Sequence, residues 1–147
     1  MISRRQLLTA SGAVWTLSLL PIGLSANSRS IISDVYGDVP IEIGGVTLKT
    51  PSLAENGNSV SLIVEADSPM TPDNYIKEIR IFAPKNPEPE LVTYKFGPGS
   101  GKASVSTRVR FADSQVITAV AQRNDGRLFS ASSETIITLA ACVEPLL

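Results

Sequence analysis

The sequence predicts an all-β chain built as an antiparallel sandwich of about seven or eight strands. Three observations carry that expectation. Short runs of alternating apolar and polar residues recur along most of the chain. The ten glycines and ten prolines fall mostly between those runs, where turns belong. Beyond the first 26 residues, no stretch sustains the 3.6-residue apolar period of a helix.

Taken in order, Asn27 to Asp38 is a polar, mixed lead-in that reads either as a flexible segment or as a short helix. Val39–Leu48 is the first extended run, interrupted by Gly44-Gly45. Ser59–Ala66 follows a turn at Glu55-Asn56-Gly57. Ile76–Ala83 comes next, with Ile79, Ile81 and Ala83 on one face. Leu91–Phe96 follows the loop Asn86-Pro87-Glu88-Pro89. Ala103–Phe111 is the clearest strand: Val105, Thr107, Val109 and Phe111 share one face, and Ser104, Ser106, Arg108 and Arg110 the other. Gln115–Gln122 alternates through Val116, Thr118 and Val120. Asn124-Asp125-Gly126 is a hairpin turn, because glycine accepts the positive φ that such turns require. Arg127–Ser132 and Thr135–Leu139 complete the set. Two sheets packed as an immunoglobulin-like sandwich bury one face of each run, with Val105, Val109, Phe111, Val116 and Val120 expected in the core.

The chain has 147 residues, 43% of them hydrophobic and 18% charged, enough apolar content for one folded domain over residues 39–139. Residues 1–26 read as an export signal. A charged start leads into an apolar segment from about Leu7 to Leu20, and Leu24-Ser25-Ala26 forms a cleavage site. The segment falls short of the roughly 20 apolar residues of a membrane span, so none is expected after its removal. Ser3-Arg4-Arg5-Gln6-Leu7-Leu8 fits the twin-arginine pattern, and the expected destination is the periplasm.

Composition excludes several function classes. Arg4 and Arg5 are the leader's only charged residues, so without it 11 basic residues face 14 acidic ones, a net charge near −3. A weakly acidic chain without a basic stripe is a poor nucleic-acid binder. Histidine is absent, which removes Ser-His-Asp and Cys-His catalysis and the commonest metal ligand. A zinc site on one thiol and several carboxylates is disfavoured. With a single cysteine there is no internal disulfide.

The candidate functional residue is that cysteine, Cys142, just past the last run and ahead of Val143-Glu144-Pro145-Leu146-Leu147. It reads either as a small packed hydrophobe or as a reactive thiol of an exported protein. No positive neighbour activates it, and Glu144 opposes a thiolate, so an independent thiol enzyme is disfavoured. Ser68-Pro69-Met70-Thr71-Pro72-Asp73 and Asn56-Gly57 read as turns, and Arg108 and Arg110 as a solvated face. Glu88/Glu90 and Asp67/Asp73 fall in loops with no acid–base pattern. Gly97-Pro98-Gly99-Ser100-Gly101 lacks the lysine and helix of a phosphate cradle.

Several pieces together resemble the SoxY family. They are Ala54-Glu55-Asn56-Gly57, Ser68-Pro69-Met70-Thr71 with Tyr75, Ile81-Phe82 ahead of Asn86-Pro87-Glu88-Pro89, Val105 to Arg110, Ser114-Gln115, Ala119-Val120-Ala121 and Asp125-Gly126. The resemblance spans about residues 36–142. It implies an immunoglobulin-like sandwich that carries sulfur in thiosulfate oxidation, with Cys142 as the covalent attachment point on a C-terminal arm over 140–147. It also implies a heterodimer with a SoxZ-like subunit and transient cytochrome and hydrolase partners. No cofactor of its own is implied, haem and metals belonging to those partners, and no catalysis of its own. The family sets glycines around the cysteine, whereas this chain has Ala140-Ala141 before it and Val143-Glu144 after it. The alternative is therefore a SoxY-like scaffold subunit whose carrier role is lost or altered.

Overall fold

The computed structural model describes residues 26–139. Apart from Ala26, the leader lies outside the described residues, as does the arm over 140–147. Helix α1 (Ala26–Tyr36) is followed by β1 (Ile41–Ile43), β2 (Val46–Lys49), β3 (Leu53–Asn56), β4 (Val60–Ala66) and β5 (Ile76–Phe82). Then come β6 (Glu90–Lys95), β7 (Ala103–Val109), β8 (Gln115–Arg123) and β9 (Leu128–Leu139). The larger sheet runs β1-β9-β8-β5-β6, with β3 also on β9; the smaller runs β2-β4-β7. Strands pair antiparallel except for β1 and β3, which both lie parallel to β9. This is the expected immunoglobulin-like β-sandwich.

The core lies between the sheets. Ile79, Ile81 and Ala83 of the β5 run and Ile117, Ala119 and Ala121 of β8 face Val60, Leu62 and Val64 of β4, with Phe111 closing one end. Most of these side chains are completely buried, and each large one contributes roughly 1.5–3 kcal/mol relative to exposure. The chain crosses between sheets at Gly44-Gly45. Gly45 has φ +68, and a Cβ there would sit 3.0 Å from the Phe129 ring, so both conformation and space require glycine. The predicted hairpin joins β8 to β9, with Gly126 at φ +89.

The open choice for the lead-in resolves to a helix, and three expectations change. Ile32 of α1 packs on Phe82, Val120 and Leu128, which face outward from the larger sheet. For the same reason Val120 is not part of the inter-sheet core, and Val116 is only half-buried. Alternation shows that two faces exist but not which one turns inward, and α1 makes both faces of β8 apolar.

Leu53–Asn56, which overlaps the turn expected at Glu55-Asn56-Gly57, is a strand, β3, paired with β9. Finally, β9 is one continuous strand rather than two. Its polar middle is satisfied by hydroxyl pairs: Ser132 with Thr118 at 3.0 Å, Ser133 with Thr50 at 2.8 Å, and Thr135 donating to Thr50 at 2.8 Å.

Candidate functional site

Cys142 lies outside the described residues, so the site is built from its root. The chain reaches it along β9, whose last residue, Leu139, is three positions before the thiol. The final turn of pairing holds β9 on both sides. On one side β3 aligns Leu53 with Ile136, Ala54 with Ile137 and Asn56 with Leu139. There the Thr138 hydroxyl donates to the Glu55 carbonyl at 3.0 Å. On the other side Ser114 does the work of a missing strand. Its Oγ accepts the Ile137 N–H at 2.8 Å and donates to the Ile137 carbonyl at 3.3 Å. Ile137 turns its side chain into the core, 8% exposed.

Behind Ser114 a neutral network ties together the loops at this end of the sandwich. Asn86 Nδ2 donates to the Arg110 carbonyl at 2.8 Å, and its Oδ1 accepts the Ala112 N–H and Gln115 Nε2, each at 2.9 Å. Gln115 Oε1 accepts the Lys85 N–H at 2.8 Å. The β5–β6 and β7–β8 loops are thereby locked to one another, and Gln115, 6% exposed, is the buried centre. The turn Gly57 joins them through its carbonyl, which accepts the Phe111 N–H at 2.9 Å.

The Asp113 carboxyl is held below its ordinary range, chiefly by the Ser114 backbone N–H and then by Lys85, whose Nζ lies 3.3 Å away. Both side chains are more than half exposed, so the pair contributes little to stability. Among the described residues no cluster of histidine, cysteine or carboxylate side chains could hold a metal ion.

The model of the family described as sulfur oxidation protein SoxY matches residues 32–142 of the chain, a span that ends on Cys142. The chain belongs to the SoxY family. Among solved structures it is similar to the sulfur carrier protein SoxY from Chlorobium limicola f thiosulfatophilum. The two are 29% identical with a TM-score of 0.63, over 76% of this chain and 96% of that one. It is also similar to the superoxide reductase (neelaredoxin) from Ignicoccus hospitalis, at 18% identity and TM-score 0.57 over 64% of this chain and 80% of that one. That likeness is one of fold. No curated protein matches the chain.

The pieces that carried the SoxY resemblance occupy both ends of the sandwich. Asn56-Gly57, Asn86 and Ser114-Gln115 meet at the root of the arm. Ser68–Thr71, Tyr75 and Asp125-Gly126 meet at the far end, where Asn124 Nδ2 donates to the Asp73 carbonyl at 3.1 Å and its Oδ1 accepts the Tyr75 N–H at 3.3 Å. There Met70 adopts φ 52, a left-handed conformation unusual for its type, with its side chain buried in the core and its N–H donated to Ser68 Oγ at 3.2 Å. Arg108 and Arg110 sit beside a cleft at the open edge of the sandwich.

Glu88 and Glu90 do not pair. Glu90 instead accepts Arg80 at 3.2 Å, and Arg80 also binds Glu78 at 2.8 Å. Tyr36 of α1 covers this pair: its hydroxyl donates to Glu78 at 3.2 Å and Arg80 lies 5.4 Å from its ring. Burial, then the Glu78 charge, push the Tyr36 phenol well above its ordinary value, so it remains a neutral donor. Sequence reading assigned no role to Asn86, Ser114, Gln115 or Tyr36. A buried amide looks like a solvated one in sequence, and only the resemblance singled out three of the four.

Proposed function

We propose that this chain is the sulfur-carrying subunit of a periplasmic sulfur-oxidising system, with Cys142 as the covalent attachment site. The observation that carries the reading is the family match that ends on the chain's single cysteine. The likeness to a solved sulfur carrier along nearly its whole length supports it. The anchored end of β9 supports it further: a rigid root three residues from the thiol gives a short tether a fixed origin.

The chemistry needs only a thiol. The Cys142 thiol and thiosulfate form a sulfur–sulfur bond with release of a proton and two electrons, which a partner haem cytochrome accepts. The product is a cysteine S-thiosulfonate. Water then cleaves its sulfane–sulfonate bond in a partner hydrolase, releasing sulfate and leaving a Cys142 persulfide. The chain itself turns over nothing and holds no cofactor. It travels folded through the twin-arginine pathway, paired with a SoxZ-like subunit.

The test is loading. Mature protein with its partner, given thiosulfate and the cognate cytochrome, should gain a reductant-labile mass of one thiosulfate, and Cys142→Ser should gain none. An unmodified thiol in the wild type contradicts the carrier reading. That outcome would favour the scaffold alternative, for which the specific observation is the absence of the family's glycines around Cys142.

A further inference from the structure

The two sides of the sandwich are closed differently. On one side the chain itself crosses between the sheets, at Gly44-Gly45 and again from β2 to β3, and seals the gap with the Ser133–Thr50–Thr135 hydroxyls. On the other, β6 ends the larger sheet and β7 ends the smaller, and no described strand pairs with the outer edge of either. Between them lies an open cleft of about 490 Å³. Leu91, Val92 and Tyr94 line it. These side chains, together with Phe96 and Val105, pack on the core yet stay only partly buried. Among the described residues the core is thus left partly uncovered on this side.

The two free edges are not equivalent. β6 follows Pro87 and Pro89, carries a register irregularity opposite Ile81/Phe82, and has a charge at each end in Glu90 and Lys95. These are the devices that discourage strand addition. β7 has none of the first two. It pairs with β4 in unbroken register over all seven residues, Ala103 to Val109, without proline or glycine. Its outward-facing side chains are Ser104, Ser106 and Arg108, and Arg110 follows. Both arginines line the cleft, with Glu88 the one acidic residue there among the described residues.

We infer that β7 is the docking edge for a strand of the partner subunit, one with apolar residues facing the Val92–Tyr94 floor and an acidic residue facing Arg108. A strand added beside β7 extends the smaller sheet to four strands and satisfies its edge N–H and C=O groups. Its alternate side chains point to the two environments just described. The acidic face follows from charge complementarity, and the apolar face from the partly exposed core. The inference rests on the reading of the chain as one half of a heterodimer.

The experiment is hydrogen exchange on the full chain, alone and co-expressed with the SoxZ-like subunit of its own organism. In the complex, amides of 103–109 should slow by about tenfold or more, and those of β2 should not change. Arg108→Glu should weaken association by about tenfold, whereas Lys49→Glu, at the opposite edge of the same sheet, should leave it within about twofold. A complex in which 103–109 exchange as in the chain alone overturns the docking edge and leaves the heterodimer reading standing. Failure to form any complex overturns the heterodimer reading, and the inference with it. Concentration-dependent protection of 103–109 in the chain alone assigns the edge to a second copy and overturns the partner assignment. The exchange measurement needs only the wild type, so a misfolded Arg108→Glu does not spare the inference.

Discussion

The two ends of the sandwich are held by different chemistry. At the far end charge joins the Asn124 amide in holding the β8–β9 hairpin: Arg123 pairs with Asp125, Arg127 Nε lies 2.9 Å from Glu42, and both arginines stack on Phe129 at 5.6 and 5.4 Å. At the arm end the loops are bound by neutral amides and a hydroxyl around Asn86, Ser114 and Gln115. Exposed ion pairs are weak and screened by salt, while buried amides are costly to leave unpaired. The difference teaches where the fold invests rigidity, namely at the root of the segment bearing the thiol.

The comparison can be broken most severely at Asn86. Asn86→Ala strips partners from the Arg110 carbonyl, the Ala112 N–H and the buried Gln115 amide. It should cost about 2–3 kcal/mol, read as a lower urea midpoint with unchanged slope. Ser114→Ala should cost about 1 kcal/mol globally. Its sharper signature is local: faster hydrogen exchange at Ile137, with the β8–β9 hairpin unchanged. Equal acceleration at both ends would show that the root is not a separately held unit.

The smallest effect belongs to the far end. Arg123 chiefly, and the Arg127 backbone N–H next, lower the Asp125 carboxyl to about 2. A carboxyl lowered in the folded state adds stability that is present above its unfolded value, near about 3.9, and is lost as pH falls through about 2. Asp125→Asn should therefore flatten the dependence of the urea midpoint on pH between about 2 and 4, and lower the midpoint slightly at neutral pH, where the contribution is fully present but screened by solvent. High salt should shrink this difference and leave the Asn86→Ala deficit intact.

The legible part of the molecule followed from local rules. Alternation in Ala103–Phe111 placed Val109 and Phe111 inward and Arg108 outward, as found. Asn124-Asp125-Gly126 specified its hairpin through glycine's backbone freedom. What was not legible depended on tertiary context. Val120 alternated correctly but faces α1, because a helix covering the outer sheet cannot be read from the strand it covers. Asn56 reads as a turn residue and also ends β3, because parallel pairing with β9 joins segments about 80 residues apart. The Ser132–Thr135 stretch looked like a break until its hydroxyl partners were placed. For the site, the thiol was visible at once. Its anchorage was not, since Ser114 earns its role only by facing Ile137.

The central claim is that Cys142 is loaded and then cleared, which distinguishes a carrier from a dead-end adduct. The most direct measurement is a time course of intact mass on protein preloaded with thiosulfate, after addition of the cognate hydrolase and then a thiol reductant. The account predicts loss of the sulfonate group first, leaving a persulfide, then return of the full population to the free thiol with the fold intact. A loaded protein whose mass does not change on adding the hydrolase, or an adduct that also forms on Cys142→Ser, would contradict it.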